Sequence, residues 1–116
     1  ISLIKNEYNY IFGGYTKVSW NNPGGFEYSP DKSAFLYNYY PTYKIFNLKN
    51  PLDRHAVRHD VSYGIGFGNG CDLIIYNDAN IHGGSNSNSR VYTFNQIEFT
   101  KHRDFKIKNI EVYQVQ

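Results

Sequence analysis

The residues best suited to chemistry lie in the stretch Ser62–Tyr76, in which glycine occupies every second position from Gly64 to Gly70. Alternating glycines occur where a loop cradles a phosphate or where one backbone passes closely over another. A phosphate loop requires a helix after the glycines, and a P-loop also requires a Lys-Ser/Thr pair. That pair is absent, and the apolar run Leu73–Tyr76 predicts a buried strand. We therefore expect a backbone-packing corner and not a nucleotide site.

Five residues are the candidates for a binding role. Four of them border the glycine turn. The fifth lies between two apolar residues near the end of the chain, so on a strand it points to the opposite face from those two residues. For all five, the sequence favours a purely structural role over binding. The candidates are Ser62, Gly66, Gly68, Asp72 and Glu111.

Two histidines and one cysteine are the other residues with metal-binding or nucleophilic chemistry. His55 and His59 stand four apart, but no third ligand follows at a motif spacing and the adjoining arginines would repel a cation. Cys71 precedes Asp72, whose carboxylate would raise the pKa of the thiol. No nucleophile-elbow or paired-carboxylate pattern is present. We therefore expect no metal, no cofactor and no catalytic activity.

The segment Asn77–Arg90 is rich in Asn, Ser and Gly and is predicted to be a long polar loop. Asp78, Asn80 and Asn86 carry oxygens that could bind a sugar or calcium, although the acidic spacing of a calcium loop is missing. A carbohydrate-binding module or an enzyme, built on this loop and the glycine stretch, is therefore one alternative function.

Composition indicates one β-rich domain. The 116 residues include twelve tyrosines and are 18% aromatic, which is typical of strands. A net charge of +2 with scattered basic residues argues against a nucleic-acid partner. No apolar run approaches the ~20 residues that span a bilayer, so we expect no membrane insertion. A lone cysteine favours a reducing, intracellular or cytoplasmic location.

Hydrophobic alternation and turn residues predict a series of short strands. Gly13-Gly14 is expected to end or kink the second strand, and Trp20 to anchor the core at the end of an element. In the last strand the inward face changes parity at Lys108-Asn109, so a bulge there should return Ile110 and Val112 to the core. The predicted segments are a hairpin of Ile1–Lys5 with Tyr8–Tyr15, a buried strand Ala34–Tyr37 that Pro41 stops, a strand Tyr43–Leu48, a polar loop or strand edge Leu52–Asp60, a crossing segment Arg90–Thr100 and a closing strand Asp104–Gln116.

Six motifs follow one another along the chain: Ile11–Thr16, Val18–Trp20, Ala34–Tyr37, Ser62–Gly68, Asp72-Leu73 and Phe105–Tyr113, the last of which contains Glu111. Their order and spacing resemble the TLDc domain of the oxidation-resistance protein family, over nearly the whole chain. The family usually carries proline where Ile65 stands, a departure that leaves the glycines intact. The resemblance implies a mainly β fold, a two-sheet antiparallel β-sandwich with a few short helices.

The family's domain normally opens with a helical segment before the strand Ile1–Lys5. The chain begins at Ile1 and contains no Met, so residues 1–116 are expected to form a single TLDc-like domain that lacks its N-terminal segment. Without a helical cover, apolar sandwich surface would be exposed to water. We therefore expect a fragment of a longer protein, or a chain covered by a partner in an assembly.

The resemblance implies a non-enzymatic protein-interaction domain linked to oxidative-stress resistance. Several such domains bind the vacuolar-type proton ATPase and influence its assembly, so ATPase subunits are the expected partner. Such a domain would shift the assembly equilibrium by binding one state better than the other. The alternative from another class is a structural component of a large protist assembly, cytoskeletal or ciliary.

Overall fold

Two antiparallel sheets face each other in the computed structural model, which describes residues 1–18, 26–60, 63–69, 72–77 and 85–113. The only helix among these residues is a single turn. This arrangement confirms the predicted mainly β, two-sheet fold. The elements are β1 (Ser2–Asn6), β2 (Ile11–Tyr15), β3 (Phe26–Ser29), β4 (Phe35–Tyr40), β5 (Lys44–Asn47), β6 (Val57–Asp60), β7 (Tyr63–Phe67), β8 (Leu73–Tyr76), β9 (Ser85–Ser87), α1 (Gln96–Phe99), β10 (Asp104–Phe105) and β11 (Ile107–Val112).

Sheet A has the strand order β11-β1-β2-β4-β5, and sheet B has the order β10-β9-β8-β7-β6-β3. Every strand pair is antiparallel. The inner faces of the two sheets form one core, because side chains alternate between the two faces of a strand. Sheet A contributes Ile4, Phe12, Leu36, Phe46 and Ile107 to this core, and sheet B contributes Val57, Ile65, Phe67, Leu73 and Ile75.

The first predicted hairpin is confirmed, since β1 pairs with β2. The expectation that Gly13-Gly14 ends the second strand is wrong, because both residues lie inside β2 and are paired with β4. A Cβ atom on Gly13 would lie 2.0 Å from the Ser2 carbonyl oxygen, and one on Gly14 would lie 2.6 Å from the Phe67 ring. Glycine therefore permits close packing on both faces of this strand.

The prediction of a polar loop or strand edge at Leu52–Asp60 is wrong for its second half. Residues 57–60 form β6, which lies between β3 and β7 inside sheet B. His59 is 1% exposed, and its Nε2 atom is 2.9 Å from the Ser29 hydroxyl. The strand has two inward positions, Val57 and His59. Because the second is polar, the sequence shows no hydrophobic alternation, and the pattern missed the strand.

The long polar loop predicted for Asn77–Arg90 is also interrupted by structure. Ser85 and Ser87 are fully buried in the short strand β9, which pairs with both β8 and β10. Serine at inward positions carries no hydrophobic signal, so the pattern could not indicate a strand. Trp20, Ser62, Cys71, Asp78 and Asn80 lie outside the described residues.

The closing strand changes sheet. Phe105 pairs in sheet B, whereas the chain beyond Lys106 pairs with β1 in sheet A. The predicted bulge is confirmed at Lys108, because the register with β1 passes from Asn109 to Ile107 there. The prediction that Ile110 and Val112 return to the core is wrong, since they are 40% and 54% exposed. They sit at the sheet edge, where the described residues of sheet B do not cover them.

Within the part of the chain that the structure describes, no helix has the length and apolar character needed to cross a membrane.

Candidate protein-interaction surface

The glycine stretch forms the hairpin of β7 and β8, with a strand after the glycines as the sequence predicts. A Cβ atom on Gly66 would lie 2.8 Å from the Arg58 carbonyl oxygen. Gly68 has φ of +85°, and a Cβ atom there would lie 2.3 Å from Oδ1 of Asp72. Neither position has room for a side chain, so both glycines bring the backbone close to neighbouring groups.

Asp72 is fully buried and holds the segment 90–92 against this hairpin. Its Oδ2 atom accepts hydrogen bonds from three backbone N–H groups, those of Arg90, Val91 and Tyr92, at 2.9, 2.8 and 2.9 Å. Its backbone carbonyl accepts a further bond from the Asn88 N–H at 3.1 Å. A single side chain therefore fixes a loop that is distant in sequence.

Burial raises the pKa of the Asp72 carboxyl, and the hydrogen bonds from Tyr92, Val91 and Arg90 offset only part of this effect. Its Oδ1 atom is buried, faces Gly68 and has no hydrogen-bond partner among the described residues. The neighbouring Tyr92 hydroxyl donates to the Ala56 carbonyl at 2.6 Å, and burial raises the pKa of Tyr92 as well. The arrangement suits a structural clamp, since both side chains already hold backbone groups.

The fifth predicted site residue, Glu111, lies on the other sheet. It is paired with Leu3 on the outer face of sheet A, where it lines a hollow of about 160 Å³ together with Leu3, Lys5 and Ile11. The Tyr113 hydroxyl donates a hydrogen bond to its carboxylate. The structure therefore brings Gly66, Gly68 and Asp72 together and places Glu111 apart from them.

The outer face of sheet A is largely aromatic. Tyr37 lies over Gly13, and its hydroxyl donates to the Ser2 carbonyl at 2.5 Å. Burial raises the pKa of Tyr37 to about 12. Next to it, the rings of Tyr15 and Phe35 are stacked with centroids 5.3 Å apart. Aromatic side chains thus cover the middle of this face without a second layer above them among the described residues.

The exposure increases toward the hairpin that joins β4 and β5. Tyr39, Tyr40 and Tyr43 are 60%, 55% and 68% exposed, and Ile45 is 43% exposed. The rings of Tyr39 and Tyr43 contact each other edge to face, with centroids 6.4 Å apart. We call these four residues the tyrosine hairpin. Sequence reasoning missed this surface, although four tyrosines within seven residues, from Tyr37 to Tyr43, could have indicated it.

The described residues contain no group of three His, Cys, Asp or Glu side chains that could hold a metal ion. His55 and His59 have different partners: Nδ1 of His55 is 2.8 Å from the Asp53 carboxylate, whereas His59 contacts Ser29.

The sequence model of one protein family, the TLDc domain, matches residues 1–116 of this chain. The chain belongs to the TLDc domain family. A relative is the MTOR-associated protein MEAK7 of Danio rerio, which is 26% identical over 121 residues. That match covers 99% of this chain and 26% of the relative, so this TLDc domain spans about a quarter of the relative's length.

Proposed function

We propose that this TLDc domain is a non-enzymatic protein-interaction domain, and that it binds its partner through the outer face of sheet A. The observation that carries the proposal is the tyrosine hairpin, on which three tyrosines stand more than half exposed beside Ile45. Large exposed apolar groups that cluster on one surface are typical of binding sites.

Tyrosine suits such a surface for physical reasons. Its ring buries a large area at little cost in conformational entropy, and its hydroxyl can form a hydrogen bond with a partner. Tyrosine is accordingly enriched among the residues that dominate binding energy at protein interfaces. Burying Tyr39 and Tyr43 against a partner would therefore supply much of the affinity.

The predicted site residues divide between two roles in this proposal. Glu111 lies on the same outer face as the tyrosines and could provide a charged contact at the rim of the interface, beside Lys5. Gly66, Gly68 and Asp72 support the sandwich from within sheet B. Ser62, outside the described residues, stays a prediction.

The partner that the family suggests is the cytosolic part of a vacuolar-type proton ATPase. A TLDc domain that binds one assembly state better than another would shift the balance between them, and oxidative-stress resistance would follow from that regulation. The name of the zebrafish relative, an MTOR-associated protein, makes an mTOR-containing complex the other candidate for this chain.

Binding to the purified cytosolic sector of the ATPase, measured by biolayer interferometry, tests this proposal. We expect the double variant Tyr39→Ser/Tyr43→Ser to bind at least about tenfold more weakly, because two central aromatic contacts are lost. Leu52→Ser is the matched control, since Leu52 is 83% exposed but lies outside the hairpin. Equal binding by the double variant and the control would contradict the proposal. A complex that resists high salt and never dissociates would instead favour the alternative function, a structural component of a large assembly.

A further inference from the structure

Strand β5 forms one edge of sheet A, and a segment of the chain already pairs with part of that edge. The Thr93 N–H donates to the Asn47 carbonyl at 2.8 Å, and the Lys49 N–H donates to the Val91 carbonyl at 2.8 Å. Between these bonds, Leu48 and Tyr92 form an isolated antiparallel bridge. The residues 91–93 therefore act as a short added strand beside 47–49.

The added strand stops before it covers the rest of β5. After Thr93 the described chain makes no further main-chain hydrogen bond to β5. The Phe94 ring instead packs on those of Phe46 and Phe99, with centroids 6.1 and 4.9 Å away. In an antiparallel sheet, residues two apart direct their main-chain groups to the same side. Since the Asn47 carbonyl points outward to Thr93, the N–H and carbonyl of Ile45 also point outward. Among the described residues, nothing bonds to them.

A groove of about 350 Å³ runs along this uncovered edge. It is lined by β5 itself, from Lys44 to Asn47, and by Thr93 and Phe94. Hydrogen-bonding groups of an exposed edge strand are a template for another chain. Here the unpaired part of β5 continues directly from residues 47–49, which already pair with residues 91–93. The groove begins where residues 91–93 leave the edge of the sheet.

We propose that this groove binds an extended segment of a partner protein, which adds to sheet A as a strand antiparallel to β5 and in line with residues 91–93. This inference rests on the proposed function and specifies how the partner is held. Main-chain hydrogen bonds to Ile45 supply the affinity, whereas alternate side chains of the segment supply the specificity.

The surroundings define the chemistry of that segment. On the outer side of the edge, Ile45 and Tyr43 are exposed, so the partner side chain that faces them is apolar or aromatic. The charged residue in the groove, Lys44, is already paired with Glu98 of α1 at 2.6 Å. An uncharged, alternately apolar strand therefore fits better than an acidic one. The opposite edge, β11, carries Lys108 and Glu111 among its exposed residues, which is a pattern that discourages strand addition.

The proposal can be tested with Ile45→Pro, because proline removes the outward N–H and leaves the pairing of β4 with Lys44 and Phe46 in place. Random twelve-residue peptides displayed on phage are the probe, selected on the wild-type chain and then synthesised. Their affinities are measured for wild type, Ile45→Pro and the control Ile97→Ala, which removes an apolar side chain that is 69% exposed on α1. Circular dichroism confirms that each variant is folded.

We expect the selected peptides to bind Ile45→Pro at least about tenfold more weakly and Ile97→Ala unchanged. Amide hydrogen exchange should show that bound peptide protects the N–H groups of Ile45 and Asn47. A failure to select peptides, equal affinity for Ile45→Pro, or protection elsewhere would overturn the proposal, as would dimerisation of the chain through this edge. If Ile45→Pro still binds the ATPase sector while Tyr39→Ser/Tyr43→Ser does not, strand addition is wrong and the interaction function stands.

Discussion

Two hairpins of this TLDc domain use the same strand geometry for opposite purposes. The hairpin of β7 and β8 in sheet B contains Gly66 and Gly68, and its neighbours approach so closely that a Cβ atom would overlap with them. The hairpin of β4 and β5 in sheet A presents Tyr39, Tyr40 and Tyr43 to solvent. In the first, the two glycines leave no space even for a methyl group, whereas the second has large side chains and nothing described above them.

This difference separates stability from binding. Substitutions at the glycine hairpin leave buried polar groups unpaired or create steric overlap, and both effects are among the strongest destabilising mechanisms. Substitutions at the tyrosine hairpin remove side chains that the folded chain scarcely uses. If both hairpins proved equally sensitive, the assignment of binding to sheet A would lose its basis.

The largest loss of stability is expected for Asp72→Ala. It leaves the N–H groups of Arg90, Val91 and Tyr92 without their acceptor, so we expect the free energy of unfolding to fall by about 3–5 kcal/mol. Asp72→Asn keeps one acceptor oxygen and should cost clearly less. Urea denaturation of both variants measures this, and equal losses would show that the clamp does not depend on hydrogen bonding.

Gly68→Ala should follow, with a loss of about 2–4 kcal/mol. The substitution forces a side chain into a left-handed conformation, at φ of +85°, and against the Asp72 carboxylate. Asn69→Ala, at the exposed neighbouring position, is the control and should change stability by about 0.5 kcal/mol or less. Thermal unfolding measures the stability of Gly68→Ala and of Asn69→Ala. If Gly68→Ala were as stable as Asn69→Ala, the packing explanation of the glycines would be refuted.

A smaller effect is expected from pH at the same clamp. Burial raises the pKa of Asp72 in the folded chain above its ordinary value of 3.8, so the folded state binds the proton more tightly than the unfolded state does. The resulting stabilisation is fully present below pH 3.8 and is lost as pH rises through the folded pKa. Wild type should therefore gain stability relative to Asp72→Asn between about pH 7 and about pH 4. A constant difference would mean that the three N–H donors cancel the effect of burial.

Much of the fold could be predicted from local patterns. The first hairpin, β4, β5 and β8 carry apolar residues at regular positions, and Pro41 marks the end of β4. The bulge at Lys108 could be predicted because alternation changes parity there. The strand that follows the glycines was predicted correctly, since no helix signal follows them. The expected corner was wrong for Gly64 and Gly66, which lie inside strand β7.

The rest depends on tertiary partners that local patterns do not report. Ser85 and Ser87 are buried in β9 with polar side chains, and His59 is buried in β6 beside Ser29. Asp72 was a candidate site residue, but its partners lie 18 to 20 positions further along the chain, so its clamp role was not visible. Conversely, the tyrosines of β4, and Tyr43 just before β5, fit a strand equally well whether they are covered or not.

The smallest expected effect on stability is at the tyrosine hairpin itself, and the buried Tyr37 of β4 allows a comparison with the exposed Tyr43 that precedes β5. Tyr37→Phe removes the hydrogen bond from a buried hydroxyl to the Ser2 carbonyl and should cost about 1 kcal/mol. Tyr43→Ser removes a side chain that is 68% exposed and should change stability by about 0.5 kcal/mol or less. Urea denaturation measures both. If Tyr43→Ser cost more than Tyr37→Phe, its ring would be supporting the hairpin, and weaker partner binding by the tyrosine variants could no longer be attributed to lost contacts with the partner.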